Sequence, residues 1–162
     1  MYLVEAIIDR KGRIIPDCIE AVKANRIIEV HNSTSVRPYI HVLDIVKGLL
    51  VLAQHQYEEK RFEGEYNFGP EYSNCMLTGD LVMLFCKEWG NGVSSRLAVP
   101  MESIQEPQKL RLDISKSKSL LLWAPKWNGE LAVKKLVESE KAACRDVNGE
   151  IITEKQIEEF FD

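Results

Sequence analysis

The chain has 162 residues, of which 45% are apolar and 28% are charged, and its net charge is -4. This length fits one domain of roughly 100–200 residues, and the composition is that of a globular protein with a core, which excludes a disordered chain. A nucleic-acid binder usually carries a basic surplus, so we expect no nucleic-acid partner. No run approaches the roughly 20 apolar residues of a membrane span, so we expect no membrane partner.

The cysteines and the N-terminal residues indicate where such a chain would work. The four cysteines are scattered, and no two of them form a C-x-x-C pair. Three of them lie in apolar helical patterns, so we expect buried free thiols, which favours a reducing cytoplasm. The first 12 residues have a short apolar run broken by Glu5 and no small-residue cleavage site, so we expect no secretory signal.

Apolar periodicity predicts the elements of the first half of the chain. In chain order they are a helix over 16–24, a strand over 26–31, a turn over 32–35, an extended segment over 36–42 and a helix over 43–57. Pro16 suits a first helical turn, and Pro38 disfavours helix for Arg37 before it. The second helix has apolar residues that share one face at spacings of three and four: Val46, Leu49, Leu50 and Ala53.

The second half continues with short strands and helices. The predicted elements are a strand over 64–70, a helix over 77–89, strands over 93–99 and 110–112, a helical turn capped by Asp113 or Ser115, a helix over 130–143 capped by Asn128 and a last short helix. Thr153 and Gln156 match the capping box, so Thr153 is predicted to cap that last helix. Strands this short cannot make a large sheet, so the pattern indicates a small mixed α/β lobe that packs on something bigger.

The common catalytic constellations are absent from the sequence. It has no glycine-rich dinucleotide loop, no P-loop and no G-x-S-x-G elbow, and its three histidines are not at metal-ligand spacing. No tyrosine is followed four residues later by lysine. The sequence therefore predicts no self-contained active site, no cofactor site and no metal site.

One segment points to a binding function instead. Residues 36–44 read V-R-P-Y-I-H-V-L-D. They resemble the segment that extended short-chain dehydrogenases/reductases carry before a helix of their substrate lobe, where an arginine is followed by an aromatic residue and H-V-x-D. The form with proline after the arginine is similar to that of the CDP-glucose 4,6-dehydratases within this family.

Four further segments resemble the same family in the same order. They are R-I-I-P-D at 13–17, F-E-G-E-Y-N-F-G-P at 62–70, L-R-L-D-I-S-K-S at 110–117 and W-A-P-K-W at 123–127. The resemblance covers residues 13–162, and residues 1–12 diverge. It implies that residues 1–162 form one lobe, the C-terminal substrate domain of such an enzyme without its complete Rossmann domain.

The resemblance assigns substrate-binding roles to seven residues. Arg37 would bind the diphosphate of a nucleotide sugar, because a guanidinium matches phosphate oxygens with a fork of donors. Arg13 would be a second cation near the diphosphate. The remaining five would contact the base or the ribose: Ile15, Ile28, Glu29, Val30 and Glu106.

Structural alternatives stay open for several of these residues. Arg37 could pair with a neighbouring carboxylate, Arg13 could be a solvated surface residue, and Glu106 could be an exposed loop glutamate. Ile28 and Val30 could simply pack in a strand. His41 is expected to form a structural hydrogen bond rather than act on substrate.

In complete enzymes of the family, the resemblance implies an NAD-dependent lyase whose glycine-rich turn and Tyr-x-x-x-Lys pair lie in the half that does not match here. We expect NAD only in that missing half, and no catalytic residue in this chain. Three interpretations stay open: a substrate lobe that works with a separate Rossmann-containing chain, a free-standing module that binds nucleotide sugars, and a degenerate remnant. The lobe is expected to expose an apolar face where the missing half would pack, and such a face favours a homo-oligomer.

Overall fold

The computed structural model describes residues 13–98, 109–144 and 149–162. Within these ranges the chain forms six helices and four short strands. In chain order they are α1 (Ile14–Lys23), β1 (Ile28–Val30), β2 (Val36–Arg37), α2 (Val42–Glu58), β3 (Met76–Leu77), α3 (Thr78–Trp89), β4 (Ser95–Leu97), α4 (Ser115–Leu121), α5 (Gly129–Cys144) and α6 (Gly149–Phe161).

Local capping chemistry fixes several helix ends. Asn128 Oδ1 accepts the backbone N–H of Leu131 at 2.9 Å, which confirms the predicted cap of α5. Helix α3 ends at Gly90, whose φ of 68° lies in the region that glycine occupies without a steric penalty. Asp113 Oδ1 accepts the backbone N–H of Ser115 at 2.9 Å, so of the two predicted caps of α4 it is Asp113 that supplies the bond.

The strands form two separate pairs among the described residues. β1 pairs with β4 in parallel, with Glu29 opposite Arg96. β2 pairs with β3 in antiparallel fashion, with Arg37 opposite Met76. Because each strand has only two or three residues, the helices rather than a sheet supply most of the packing surface.

Two clusters of buried apolar side chains hold the lobe together. The first joins α1, β1, α3 and α5 around Phe85, Val82 and Cys18. The second joins α2, α4 and the loop before α5 around Trp123, Phe68 and Ile114. Phe68 and Trp123 pack edge to face, with ring centroids 4.9 Å apart.

Asp44 connects α2 to the loop that precedes α5. Its side chain is fully buried, and its carboxylate accepts the backbone N–H groups of Lys126 at 2.6 Å and Trp127 at 3.4 Å. Its carbonyl oxygen accepts the indole N–H of Trp123 at 3.2 Å. Burial raises the pKa of Asp44, and the two backbone N–H groups oppose that rise by stabilising the carboxylate.

Helix α2 has a buried face and an exposed apolar face. Gly48 lies on the buried face, against the ring of Phe68. The apolar residues predicted to share a face do so, but that face is the outer one, since Leu49 is 54% exposed and Leu50 is 59% exposed. The stripe continues to Tyr57 at the end of the helix, which is 94% exposed.

The strand predicted over residues 64–70 does not form. Gly64 adopts a φ of 135°, and the backbone of this segment is bound by side chains of α4 instead of by a neighbouring strand. Ser117 Oγ donates to the carbonyl of Asn67 at 2.5 Å, and Lys116 Nζ donates to the carbonyl of Glu65 at 2.9 Å. Phe68 is buried, but the segment pairs with no strand among the described residues.

Two other local predictions are also wrong. Residues 110–112 form no strand, and only a bridge between Lys109 and Val36 precedes them. Thr153 does not cap a helix, because α6 begins at Gly149 and Thr153 lies inside it. The side chain of Gln156 reaches the carbonyl of Lys135 on α5 at 2.9 Å rather than a cap.

The four cysteines are free thiols, as predicted, but the predicted burial holds only for Cys18. Cys75 and Cys86 are half-buried, and Cys144 is exposed. Burial raises the pKa of Cys18 to about 12. In the described part of the chain, no helix is both long enough and apolar enough to cross a membrane.

We predict that Gly48→Ala destabilises the fold. An added Cβ would lie 2.5 Å from Cδ1 of the Phe68 ring, so α2 would have to shift, and we expect a loss of about 1–3 kcal/mol of unfolding free energy in urea. Gly129→Ala is the matched control, because its Cβ would meet the flexible end of Met76 at 2.7 Å. An equal loss in both variants would contradict close packing at Gly48.

We predict that Asp44→Ala costs roughly 2–5 kcal/mol of unfolding free energy, because it leaves two backbone N–H groups without their buried acceptor. Asp80→Ala, an exposed change in the first turn of α3, should cost at most about 1 kcal/mol. Urea unfolding of both variants measures these losses. Losses of similar size would contradict a stabilising role for the two bonds to the Asp44 carboxylate.

Candidate substrate-binding site

Arg37, the predicted diphosphate ligand, lies on β2 and is only 8% exposed. Its Nη1 donates to the carbonyl of Val36 at 3.4 Å. A guanidinium has five N–H donors in a rigid planar fork, which suits the oxygen atoms of phosphate and carboxylate groups. The side chain is a cation held at a fixed position within the lobe.

A network of three hydroxyl groups fixes the backbone on both sides of Arg37. Thr78 Oγ1 lies 2.8 Å from Ser35 Oγ and 2.9 Å from Tyr39 Oη. Thr78 also donates to the carbonyl of Ser35. Sequence reasoning missed this network, because Thr78 is 41 residues away from Arg37 in the chain and only the fold brings them together.

Arg13 and Ile15 lie at the start of α1. Arg13 is the N-cap residue, is half-buried and accepts the backbone N–H of Asp17 through its carbonyl at 3.0 Å. Ile15 is half-buried and packs against the first core cluster. The N-terminal end of a helix carries the positive end of its dipole, so Arg13 adds its charge to a region that already favours anions.

Strand β1, which is predicted to bind the base, has two buried side chains and one exposed side chain. Ile28 and Val30 are buried in the first core cluster, where Ile15 also packs, so the fold brings these three predicted residues together. Glu29 is exposed and forms an ion pair with Arg96 on β4. The hydrogen bond from Arg96 lowers the pKa of Glu29.

The backbone of Glu29 faces away from β4. Ile28 donates its N–H to Ser94, and Val30 accepts from Ala98, so these two residues supply the bonds to β4. Alternate residues of a parallel strand bond to opposite sides, so the N–H and C=O of Glu29 point toward the other edge of β1. Among the described residues, no strand pairs with that edge.

Two other predicted residues do not lie with this group. Arg37 lies on the other two-stranded sheet, apart from β1. Glu106 lies outside the described residues. The structure therefore brings together Ile15, Ile28 and Val30, and it places Arg13 beside Ile15 at the start of α1.

His41 is a structural residue, as predicted. It is buried, its Nδ1 accepts the backbone N–H of Leu43 at 3.2 Å, and its ring packs edge to face on Trp127 at 4.7 Å. Burial and, to a smaller extent, the positive charge of Lys135 lower the pKa of His41 to about 4. A neutral ring is the form that can accept the cap hydrogen bond.

Among the described residues, no glycines form the turn that would hold NAD, the cofactor that the family resemblance implies for complete enzymes. A dinucleotide turn needs several closely spaced glycines that let backbone N–H groups approach the diphosphate. Here Gly48 fills a packed helix interface, and Gly90 and Gly92 form the open turn after α3. None of these positions supplies such a turn.

Solved structures share this arrangement of helices and short strands. The chain matches UDP-glucuronic acid 4-epimerase from Bacillus cereus, solved with UDP-glucuronic acid and NAD, with a TM-score of 0.68 and 18% identity over 83% of this chain and 41% of that chain. It matches dTDP-glucose 4,6-dehydratase from Bacillus anthracis strain Ames, solved with NAD, with a TM-score of 0.61 and 16% identity over 82% of this chain and 40% of that chain. The fold is thus that of part of a larger epimerase or dehydratase, and the predicted α/β lobe is confirmed.

Comparison of sequences identifies the family and one enzyme that this chain resembles. Residues 8–69 match the NAD dependent epimerase/dehydratase family. The chain is 30% identical over 151 residues to CDP-glucose 4,6-dehydratase of Salmonella typhimurium strain LT2, which is 93% of this chain and 42% of that enzyme. These matches confirm the resemblance to that family and to CDP-glucose 4,6-dehydratase, and the chain spans about two fifths of the length of the relatives it matches.

We predict that His41 makes the fold sensitive to mild acid. Its pKa is about 4 in the folded chain and 6.5 when unperturbed, so the unfolded state binds the proton first as pH falls. The stability that neutral His41 contributes is fully present above pH 6.5 and is lost between pH 6.5 and 4. At pH 5 the loss amounts to about 2 kcal/mol of unfolding free energy. In urea unfolding, His41→Asn, which keeps a capping acceptor, should lose less stability between pH 7 and 5 than the wild type. Equal slopes would contradict this assignment.

Proposed function

We propose that residues 13–162 form a lobe that binds the nucleotide part of CDP-glucose or a related nucleotide sugar, within an enzyme similar to CDP-glucose 4,6-dehydratase. The observation that carries the proposal is the 30% identity to that enzyme over 93% of this chain. The lobe alone is not catalytic, because its sequence has neither a glycine-rich turn nor a Tyr-x-x-x-Lys pair.

The placement of the two arginines supports a diphosphate site. The Arg37 side chain is buried. A buried cation attracts an anion more strongly than an exposed one does. The Ser35–Thr78–Tyr39 network holds its backbone in place, so little ordering is needed on binding. Arg13, at the positive end of α1, supplies the second cation, and Glu106 is proposed to accept hydrogen bonds from the ribose hydroxyls.

The open edge of β1 supports binding of a pyrimidine base. The backbone of Glu29 offers one donor and one acceptor there, and the buried side chains of Ile28 and Val30 hold the strand against the core. Ile15 is half-buried and is proposed to contact the base or the ribose. Cytosine presents its N4–H donor beside the N3 acceptor, and uracil presents its N3–H donor beside the O2 acceptor, so both bases offer the same order. A main-chain edge of this kind accepts either base, so the choice between CDP and UDP sugars depends on residues beyond β1.

Such a lobe would contribute to catalysis through binding alone. Contacts to the nucleotide, which does not react, position the sugar against catalytic groups elsewhere and so convert binding energy into rate. Groups in another part of the enzyme would carry out the acid–base and hydride steps. Half of a cleft binds weakly, so we expect a Kd near or above about 1 mM for the isolated lobe.

We predict that the 162-residue chain binds CDP-glucose saturably and that Arg37→Lys weakens this binding. A lysine keeps the charge but loses the planar fork, which should cost about 3- to 30-fold in Kd. An NMR titration with CDP-glucose, UDP-glucose and NAD measures this, and NAD should cause no saturable shift.

Arg61→Ala is the control for charge, because Arg61 is exposed and pairs with Glu59 beyond the end of α2. Its Kd should equal that of the wild type. Circular dichroism must show that each variant is folded. Absence of binding by either nucleotide sugar would contradict the proposed function, and unchanged binding in Arg37→Lys would remove Arg37 from the site.

A further inference from the structure

Thr78 lies where α3 begins, directly after β3, and its hydroxyl contacts two side chains of the segment that carries Arg37. Thr78 and Ser35 are buried, and Tyr39 is half-buried. Thr78 Oγ1 donates to the carbonyl of Ser35 at 3.2 Å and also lies within hydrogen-bond distance of the hydroxyls of Ser35 and Tyr39. A hydroxyl has one hydrogen and two acceptor lone pairs, so the other two hydroxyls are the donors to it. The Thr78 hydroxyl therefore uses its full bonding capacity within the lobe.

The backbone at the start of α3 holds the same segment. The N–H of Thr78 donates to the carbonyl of Ser35 at 2.9 Å, and the N–H of Gly79 donates to the carbonyl of Ser33 at 2.8 Å. A Cβ on Gly79 would lie 3.2 Å from the carbonyl oxygen of Ser33, so this loop sits close against the helix. The first N–H groups of a helix lack partners within it, and here carbonyls of the loop before β2 accept two of them.

Arg37 is restrained on both sides by contacts of its neighbours. Strand β2 has only two residues, and a strand pair this short is weak by itself. Pro38 keeps the backbone of Arg37 extended, because a proline disfavours the helical conformation of the residue before it. Ser35 lies two residues before Arg37, Tyr39 lies two residues after it, and both bond to the same atom, Thr78 Oγ1. A single oxygen atom on α3 thus anchors the segment at both of its ends.

We propose that Thr78 is a positioning residue, whose hydroxyl holds Arg37 in the place where it binds the diphosphate of a nucleotide sugar. This role rests on the proposed function of the lobe, and it adds a residue that acts through Arg37. A cation on a loose segment must be ordered when the ligand binds, which lowers the affinity. If Arg37 is in place in only a fraction of the lobes, the apparent Kd rises by the inverse of that fraction. A purely structural Thr78 would affect the stability of the lobe and leave the Kd of the folded molecules unchanged.

The test compares variants of the 162-residue chain by NMR titration with CDP-glucose. Thr78→Val keeps the shape of the side chain but removes the hydroxyl, so we expect the Kd to rise about 10-fold. Thr78→Ser keeps the hydroxyl with its donor and its two acceptor sites, and it should bind within about 2-fold of the wild type. Urea unfolding and circular dichroism establish that each variant is folded under the conditions of the titration.

Tyr39→Phe is a second variant, which decides the test if Thr78→Val does not fold. It keeps the ring and removes one of the bonds to Thr78 Oγ1, so we expect the Kd to rise about 3-fold. Tyr66→Phe is the matched control, because Tyr66 is also half-buried and donates one hydrogen bond, to the carbonyl of Phe62 at 3.0 Å. Tyr66 packs on the second core cluster, and the Kd of this control should equal that of the wild type.

A measurement without ligand separates the positioning role from the function on which it rests. In the ligand-free chain, the heteronuclear NOE of the Arg37 Nε–H reports motion of that side chain on the picosecond to nanosecond timescale. It should indicate an ordered side chain in the wild type and in Thr78→Ser, and a mobile one in Thr78→Val. A wild type that shows this pattern but binds no nucleotide sugar would contradict the proposed function and support the positioning role.

Three results would overturn the positioning role. The first is a folded Thr78→Val variant that binds CDP-glucose as the wild type does, or whose Arg37 stays equally ordered. The second is a Thr78→Ser variant that binds as weakly as Thr78→Val, because the hydroxyl would then not be the group that matters. The third applies if Thr78→Val does not fold, and it is a Tyr39→Phe variant with the Kd of the wild type.

Discussion

The buried carboxylate of Asp44 is the interaction on which the second half of the fold depends. It receives the backbone N–H groups of Lys126 and Trp127, and so fixes the loop before α5 against the first turn of α2. Lys126 then donates from Nζ to the carbonyl of Phe160 at 2.6 Å, which ties the end of α6 to the same place. A buried carboxylate is costly unless its oxygens are bonded. The cost is offset here because the acceptor atoms satisfy N–H groups that would otherwise be buried alone.

This interaction changes how the R-P-x-x-H-V-x-D segment is understood. Its histidine caps α2 and packs on Trp127, and its aspartate holds the loop at Lys126. Both residues therefore serve the fold, and only Arg37, four residues before His41, is proposed to face a ligand. A match to this segment is thus strong evidence for a fold and weaker evidence for a substrate. For that reason the fold follows directly from the comparisons, whereas binding of a nucleotide sugar remains a proposal.

Sequence patterns predicted those features that local chemistry determines. Asn128 was identified as a cap because its bond partner is three residues away, and the helices were identified because their apolar periods are long. Two-residue strands such as β2 carry no period, and their register with β3 depends on contacts between distant residues. The prediction for Thr153 was wrong for the same reason, because a capping box is a local match. In the fold, the side chain of Gln156 bonds to α5, and α6 begins at Gly149. The candidate site, too, could be predicted from the sequence only in part. The family resemblance marked Arg37, whereas its burial and the Thr78 network became visible only in three dimensions.

Helix α2 also connects its exposed apolar face to the proposed site. The helix begins at Val42, just after the extended segment that carries Arg37, and its inner face is fixed by Asp44 and Gly48. A partner that binds only the folded lobe stabilises it by an amount that grows with the logarithm of its concentration over its dissociation constant. It alters nucleotide affinity only if it changes the population of lobes whose Arg37 segment is in place. Since the Ser35–Thr78–Tyr39 network already fixes that segment within one lobe, covering α2 should raise stability and leave nucleotide affinity nearly unchanged.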